Sequence, residues 1–181
     1  MNSILRRSLL LSAFSILLPL QAFGLEMQTY AGGGVGLFNY DKINDSVFGL
    51  YVSGGAKFPE TKYFGAEARL GTAFEAEKAG FGGGGPTLDR YDLDYFLSAL
   101  GRAEYPVLPE VNVYGLLGLT VASWSYDHIG VTSYSNSGTD VDISMGFGVD
   151  YRLRSEWLVG LEWMRYSSDV MGLVGTVRYE Y

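Results

Sequence analysis

Phe64-Gly65-Ala66-Glu67-Ala68-Arg69-Leu70 alternates apolar residues with polar or small ones. In an extended strand successive side chains point to opposite faces, so Phe64, Ala66, Ala68 and Leu70 share one face while Gly65, Glu67 and Arg69 share the other. The same period recurs in stretch after stretch beyond residue 45. Together these apolar faces are too many for one small core, and lipid is the medium that accommodates them. The expected fold is all-β, an eight-stranded antiparallel up-and-down transmembrane β-barrel with its apolar face outward and its polar face inward.

The remaining strands follow outward from that segment. Before it, 47–57 sets Phe48, Leu50, Val52, Gly54 and Ala56 against Gly49, Tyr51, Ser53 and Lys57, and a glycine-rich first strand over 28–40 has no assignable faces. After it, 90–105 places Tyr91, Leu93, Tyr95, Leu97 and Ala99 outward, with Asp92, Asp94, Ser98, Arg102 and Glu104 inward. The strand over 111–126 sets Val111, Val113, Leu117, Leu119 and Val121 against Asn112, Tyr114, Gly118 and Thr120. In 140–153, the clearest case, Val141, Ile143, Met145, Phe147, Val149, Tyr151 and Leu153 alternate with Asp140, Asp142, Ser144, Gly146, Gly148, Asp150 and Arg152. Strands over 157–166, with Glu162 inward, and 171–181 complete the set.

Short turns near residues 58, 106 and 154 recur evenly, as an up-and-down barrel requires. Between them, longer loops are expected near 41–46, 78–90, 127–139 and 167–170. Tyr63, Tyr105, Tyr151, Trp157 and Tyr181 beside the turns, and Tyr91, Trp124, Tyr126 and Tyr166 toward the other ends, fit two interfacial girdles.

Residues 1–24 read as a cleaved signal peptide, leaving 25–181 as one barrel domain. Arg6 and Arg7 precede an apolar run from Leu9 to Leu20, followed by Ala22-Phe23-Gly24. That run is shorter than the roughly 20 residues a spanning helix needs. The chain carries a formal net charge of -7, more acidic still once Arg6 and Arg7 are removed, which argues against nucleic acid as a partner. With no cysteine, it has no disulfide, thiol nucleophile or cysteine-linked lipid anchor.

The leader, glycine-rich strands such as Met145-Gly-Phe-Gly-Val-Asp-Tyr151, short turns alternating with long loops, and the aromatic end Tyr179-Glu180-Tyr181 together resemble the small outer-membrane β-barrel proteins of diderm bacteria, the OmpX-like and Opa-like group. The resemblance spans 28–181. It implies a bacterial outer-membrane location reached through the periplasm, contact with membrane lipid and lipopolysaccharide, and insertion by a barrel-assembly machinery that reads the C-terminal strand. Leu173, Val177, Tyr179 and Tyr181 fit that signal, although the usual terminal residue is phenylalanine. A monomer is expected.

An eight-stranded barrel has an interior just wide enough for side chains to fill. Glu67, Arg69, Asp94, Arg102, Glu104, Asp150, Arg152, Glu162 and Arg178 are expected inward with both signs present, so a paired network can plug the lumen. The competing reading is a narrow polar path for ions. His128, the lone histidine, lies beside Asp127 with Ser133 and Ser135 nearby, a set to weigh because lipid A deacylases and palmitoyltransferases are also eight-stranded barrels with a histidine and a serine near the rim. A solvated loop histidine is the simpler account. The run Gly82 to Gly85 lacks the lysine and helix of a phosphate cradle and reads as loop. Asp127, Asp140 and Asp142 are a candidate divalent-cation set without cage spacing, and Asn44-Asp-Ser46 matches a glycosylation pattern of little weight in a bacterial barrel.

No catalytic, cofactor or metal residue is therefore assigned. The leading expectation is a non-enzymatic surface protein with a structural, adhesive or envelope role, possible extracellular ligands binding at its loops. A lipid A-modifying enzyme and a narrow channel are the alternatives in function, and a soluble lipocalin-like barrel with apolar faces inward is the alternative in fold.

Overall fold

Each apolar-polar strand needs a neighbour on both edges if no backbone group is to meet lipid unpaired, and a closed ring supplies them. The computed structural model describes residues 27–40, 45–58, 60–61, 63–82, 85–129 and 133–181, and forms that ring. Its strands are β1 (Gln28–Tyr40), β2 (Asp45–Lys57), β3 (Phe64–Gly82), β4 (Gly85–Leu108), β5 (Val111–Ile129), β6 (Tyr134–Arg152), β7 (Trp157–Arg165) and β8 (Val170–Glu180). Every neighbour pair is antiparallel, and β1 closes on β8 from Tyr30↔Glu180 to Tyr40↔Val170. The expected leader over 1–24 and loop residues 41–44, including Asn44, lie outside the described residues.

The expected parity holds in most strands. Leu50, Val52, Leu97, Leu119, Ile143, Phe147 and Leu161 are exposed on the outer wall, whereas Glu67, Arg69, Ser98, Thr120, Asp150 and Glu162 are buried within. Apolar residues outside and charges inside reverse the arrangement of a soluble barrel, which removes the lipocalin-like alternative. Tight turns close one end. Phe58 N–H donates to the Phe64 carbonyl at 2.9 Å, and Leu153 N–H to the Trp157 carbonyl at 2.9 Å. Exposed Tyr63, Tyr105, Tyr151, Trp157 and Tyr181 form the girdle at this end, with Tyr63 stacked on Tyr105.

The structure corrects three expectations. A slip between Ala73 and Ala76 leaves one residue of β3 over, and a slip between Leu93 and Tyr95 opposite β5, matched by one between Gly71 and Ala73 opposite β3, leaves one residue of β4 over. This bulge reverses the faces beyond it. Leu93 therefore enters the lumen at 3% exposure instead of facing out, Asp92 swaps with it, and Asp94 is exposed rather than inward. Second, Trp124, Tyr126 and Tyr166 are not girdle residues. Trp124 and Tyr126 share the parity of lumen-facing Thr120, and Tyr166 that of Glu162 and Met164, so they line the inner face. Third, the long loops at 78–90 and 127–139 are largely strand. Lys78 to Gly82 pair with Asp89 to Gly85, and Asp127 and His128 pair with Ser135 and Tyr134.

This extension makes the wall uneven. β7 and β8 have 9 and 11 residues while β3 to β6 have 19 to 24, so one side of the ring stands above the other. β6 pairs with β7 only from Met145 to Arg152.

Candidate functional site at the lumen and outer mouth

Charges placed inside a narrow barrel are stable only when paired and hydrogen-bonded. At the turn end, Lys57 Nζ bridges Glu180 Oε1 at 2.7 Å and Glu104, while Arg152 Nη2 reaches Glu180 Oε2 at 2.9 Å. One layer deeper, Asp150 Oδ2 accepts from Arg102 Nη2 at 2.6 Å and Arg178 Nη2 at 2.8 Å. Arg69 then joins two strands' carboxylates, donating through Nε to Glu67 at 2.6 Å and through both terminal nitrogens to Glu162. Tyrosines complete the shell: Tyr30 Oη donates to Glu67 at 2.7 Å and Tyr114 Oη to Glu162 at 3.0 Å. The Arg102 guanidinium lies 3.5 Å above the Tyr114 ring centre and that of Arg69 4.5 Å above Tyr51.

Above the charges, Ser98, Thr120 and Ser144 link hydroxyls at 2.6 Å. Phe38, Phe96 and Tyr166 then close the bore, their ring centres 4.7 to 6.0 Å apart, with Leu100, Met164 and Val174 packed around them. Phe38, Phe96 and Met164 are 0% exposed and Glu162 and Asp150 are 1% exposed. Two successive layers, one ionic and one aromatic, fill the lumen. Seven of the nine charges expected inward belong to the ionic layer, Arg152 sits at its rim, and Asp94 is lost to the bulge. Lys57 and Glu180 complete it. Glu180 was legible in principle, since it lies between outward Tyr179 and Tyr181.

The aromatic layer is the floor of a cup that opens at the end opposite the tight turns, which in transmembrane barrels is the outer end. The cup has a volume of about 300 Å³. Leu93, Thr120, Ala122, Trp124, Asp140, Asp142, Asp169 and Val170 are among the residues that line it. Trp124 Nε1 donates to Asp140 Oδ2 at 2.7 Å, and Asp142 Oδ2 accepts from the Ser168 N–H at 3.2 Å. Gly138 faces Trp124 across the ladder, where a side-chain carbon would lie 2.7 Å from the indole, so glycine lets the ring lie against β6.

Among the remaining sequence candidates, His128 and Ser135 do not come together. His128 is a strand residue stacked on Tyr134 at 5.1 Å, whereas Asp127 and Ser135 oppose each other on the other face of the hairpin. Asp127 is likewise on the face opposite Asp140 and Asp142, and among the described residues no cluster of three His, Cys, Asp or Glu could hold a metal ion.

Comparison with known proteins gives the same architecture. The chain aligns over 87% of its length with 99% of Ail, the attachment invasion locus protein of Yersinia pestis, at 14% identity and a TM-score of 0.53. It aligns over 86% with 97% of Neisserial surface protein A at 13% identity and a TM-score of 0.57. A de novo designed transmembrane β-barrel matches over 85% of this chain and 95% of its own, at 16% identity and a TM-score of 0.52. At these identities the likeness is one of fold. No curated protein sequence matches the chain. The family model for the outer membrane protein beta-barrel domain, however, matches residues 8–176. With nearly the whole chain under that one model and the antiparallel ring closed, the protein belongs to the outer membrane protein beta-barrel domain family, as a transmembrane barrel of the outer membrane.

Proposed function

We propose that this barrel is a non-enzymatic surface protein that engages external partners through its raised outer wall. The observation that carries the reading is the height of β3 to β6 above the rest of the ring. From Tyr134 to Val141, β6 has no ladder partner on its β7 side among the described residues, and its residues are nearly all exposed. Open strand edges and the loops of a rigid scaffold are where proteins recruit partners. The filled lumen argues against a channel role, and the separation of His128 from Ser135 gives no support to a lipid A-modifying one.

Export through a signal peptide over 1–24, insertion through the C-terminal strand and a monomer bathed in lipid and lipopolysaccharide complete this reading. Ail has been crystallised with the heparin analogue sucrose octasulfate. A sulfated polymer is not the partner proposed here, because the outer end carries Asp127, Asp140, Asp142 and Asp169 on a chain of net charge -7.

The test removes residues 126–136 and joins Ser125 to Ser137, shortening the raised hairpin within its own register. Cells expressing either form are scored for attachment to an epithelial monolayer and to one another. Attachment that falls to the level of non-expressing cells, while the shortened barrel keeps its heat-dependent gel mobility, supports the reading. Equal attachment by both forms, or a lipid A mass spectrum altered by the full-length protein, overturns it.

A further inference from the structure

The raised part of β6 has an open edge whose direction is fixed by the ladder below it. Arg152 N–H donates to the Glu110 carbonyl on the β5 side at 2.7 Å, and Leu153 N–H to the Trp157 carbonyl on the β7 side at 2.9 Å. Backbone groups along a strand alternate between its two neighbours, and the β5 register runs without a slip from Val111↔Tyr151 to His128↔Tyr134. Even-numbered residues of β6 therefore bond toward β5 and odd-numbered ones point toward β7. β7 covers that edge only from Met145 to Arg152. Ser135, Ser137, Thr139 and Val141 thus aim their N–H and C=O groups sideways with no ladder partner among the described residues. Exposed edges are commonly blunted by lysine, proline or a bulge, and Tyr134-Ser-Asn-Ser-Gly-Thr-Asp-Val141 contains none of the three.

We infer that this edge pairs with the same edge of a second copy of the chain, carried by a facing membrane. The inference rests on the reading that the raised wall recruits partners, and it names the partner. Paired antiparallel with itself about Ser137, the segment sets Ser135 opposite Thr139 and Tyr134 opposite Asp140. Hydroxyl side chains opposite one another favour a strand pair, and like charges opposite one another oppose it. Asp140 is the one charged side chain in the segment, and it meets a tyrosine on the inner face, where it also accepts from Trp124.

Geometry decides where the second copy stands. The two-fold axis of an antiparallel self-pair runs across the strands, so the two barrels point at each other. Barrels inserted in one membrane share one direction and cannot form it. A neighbour in the same membrane cannot lay a different raised strand here either, because that strand would continue down into the space β7 fills. The hairpin of an opposed barrel comes from above, where the low wall of β7 and β8 leaves room. One short pair is weak, and many copies on two apposed surfaces add avidity.

The test uses phosphatidylcholine vesicles carrying the full barrel, in two populations with different dyes, and counts two-colour clusters. Clusters are expected when both populations carry the barrel and not when one is empty. Ser137→Lys with Thr139→Lys sets like charges along the outer face of the edge, and should bring clustering down to the level of empty vesicles while the barrel keeps its heat-dependent mobility. Ser137→Glu with Thr139→Glu should do the same. Mixing the lysine population with the glutamate population should restore clusters, more at low salt than at high. No clustering of the wild-type vesicles, clustering when one population is empty, or variants of opposite charge that stay apart would overturn the inference. Attachment to an epithelial monolayer needs no second barrel, and these vesicles contain no other protein, so the two readings fail independently.

Discussion

Arg69 is the residue on which the lumen turns. It is 2% exposed and ties Glu67 on its own strand to Glu162 on β7. Arg69→Met leaves buried Glu162 without its cation and Glu67 with only the Arg102 guanidinium 3.5 Å away, and breaking a buried pair from one side costs about 3–5 kcal/mol. The expected result is a lower urea midpoint for unfolding in detergent, followed by tryptophan fluorescence. Adding Glu67→Gln and Glu162→Gln to Arg69→Met should recover much of the loss, whereas a triple variant no more stable than the single one would contradict the paired network. At this scale the sequence was largely readable, because strict alternation in β3, β6 and β8 fixes which way Glu67, Arg69, Asp150 and Arg178 point. It misled at Leu93, Asp92, Asp94, Trp124, Tyr126 and Tyr166. Aromatic residues near strand ends suit a girdle or a lumen equally well by type, and only parity across the whole strand separates the two.

Glycines in the middle strands make room for the aromatic layer. A side-chain carbon at Gly49 would lie 2.6 Å from the Phe38 ring, and one at Gly71 within 2.6 Å of the Phe96 ring. Gly49→Val or Gly71→Val forces those rings out of the bore, and overpacking of this kind costs about 1–3 kcal/mol. Each variant is expected to lower the urea midpoint, and a paired Phe38→Leu or Phe96→Leu to restore part of it. An unchanged midpoint in both glycine variants would mean that the rings do not sit where described. The order of strands and the three tight turns were legible from turn residues and spacing. The strand ends were not. Glycine-rich 79–86 and polar 127–139 carry the composition of loops, yet Ala79 to Gly82 pair with Leu88 to Gly85, and Asp127 and His128 with Ser135 and Tyr134, and pairing is a property of two segments that no single window of sequence displays. The bulge in β4 escaped for the same reason, since a slip is defined only against the partner strand.

For the molecule as a whole, hydrocarbon on the outside and ionic pairs on the inside are two halves of one claim. A polar wall would not enter the bilayer, and an unpaired lumen would not stay dry. Both depend on the parity of side chains along every strand, and β6 displays it over the longest unbroken run. Because the chain has no cysteine, a single cysteine can be placed at each position from Val141 to Tyr151 and carry a nitroxide label without background. Accessibility to oxygen, which concentrates in lipid, is then measured in membranes by electron paramagnetic resonance. The account predicts high values at Ile143, Met145, Phe147 and Val149 and low values at Ser144, Gly146, Gly148 and Asp150, alternating residue by residue. High values at the second set, or no alternation, would contradict it.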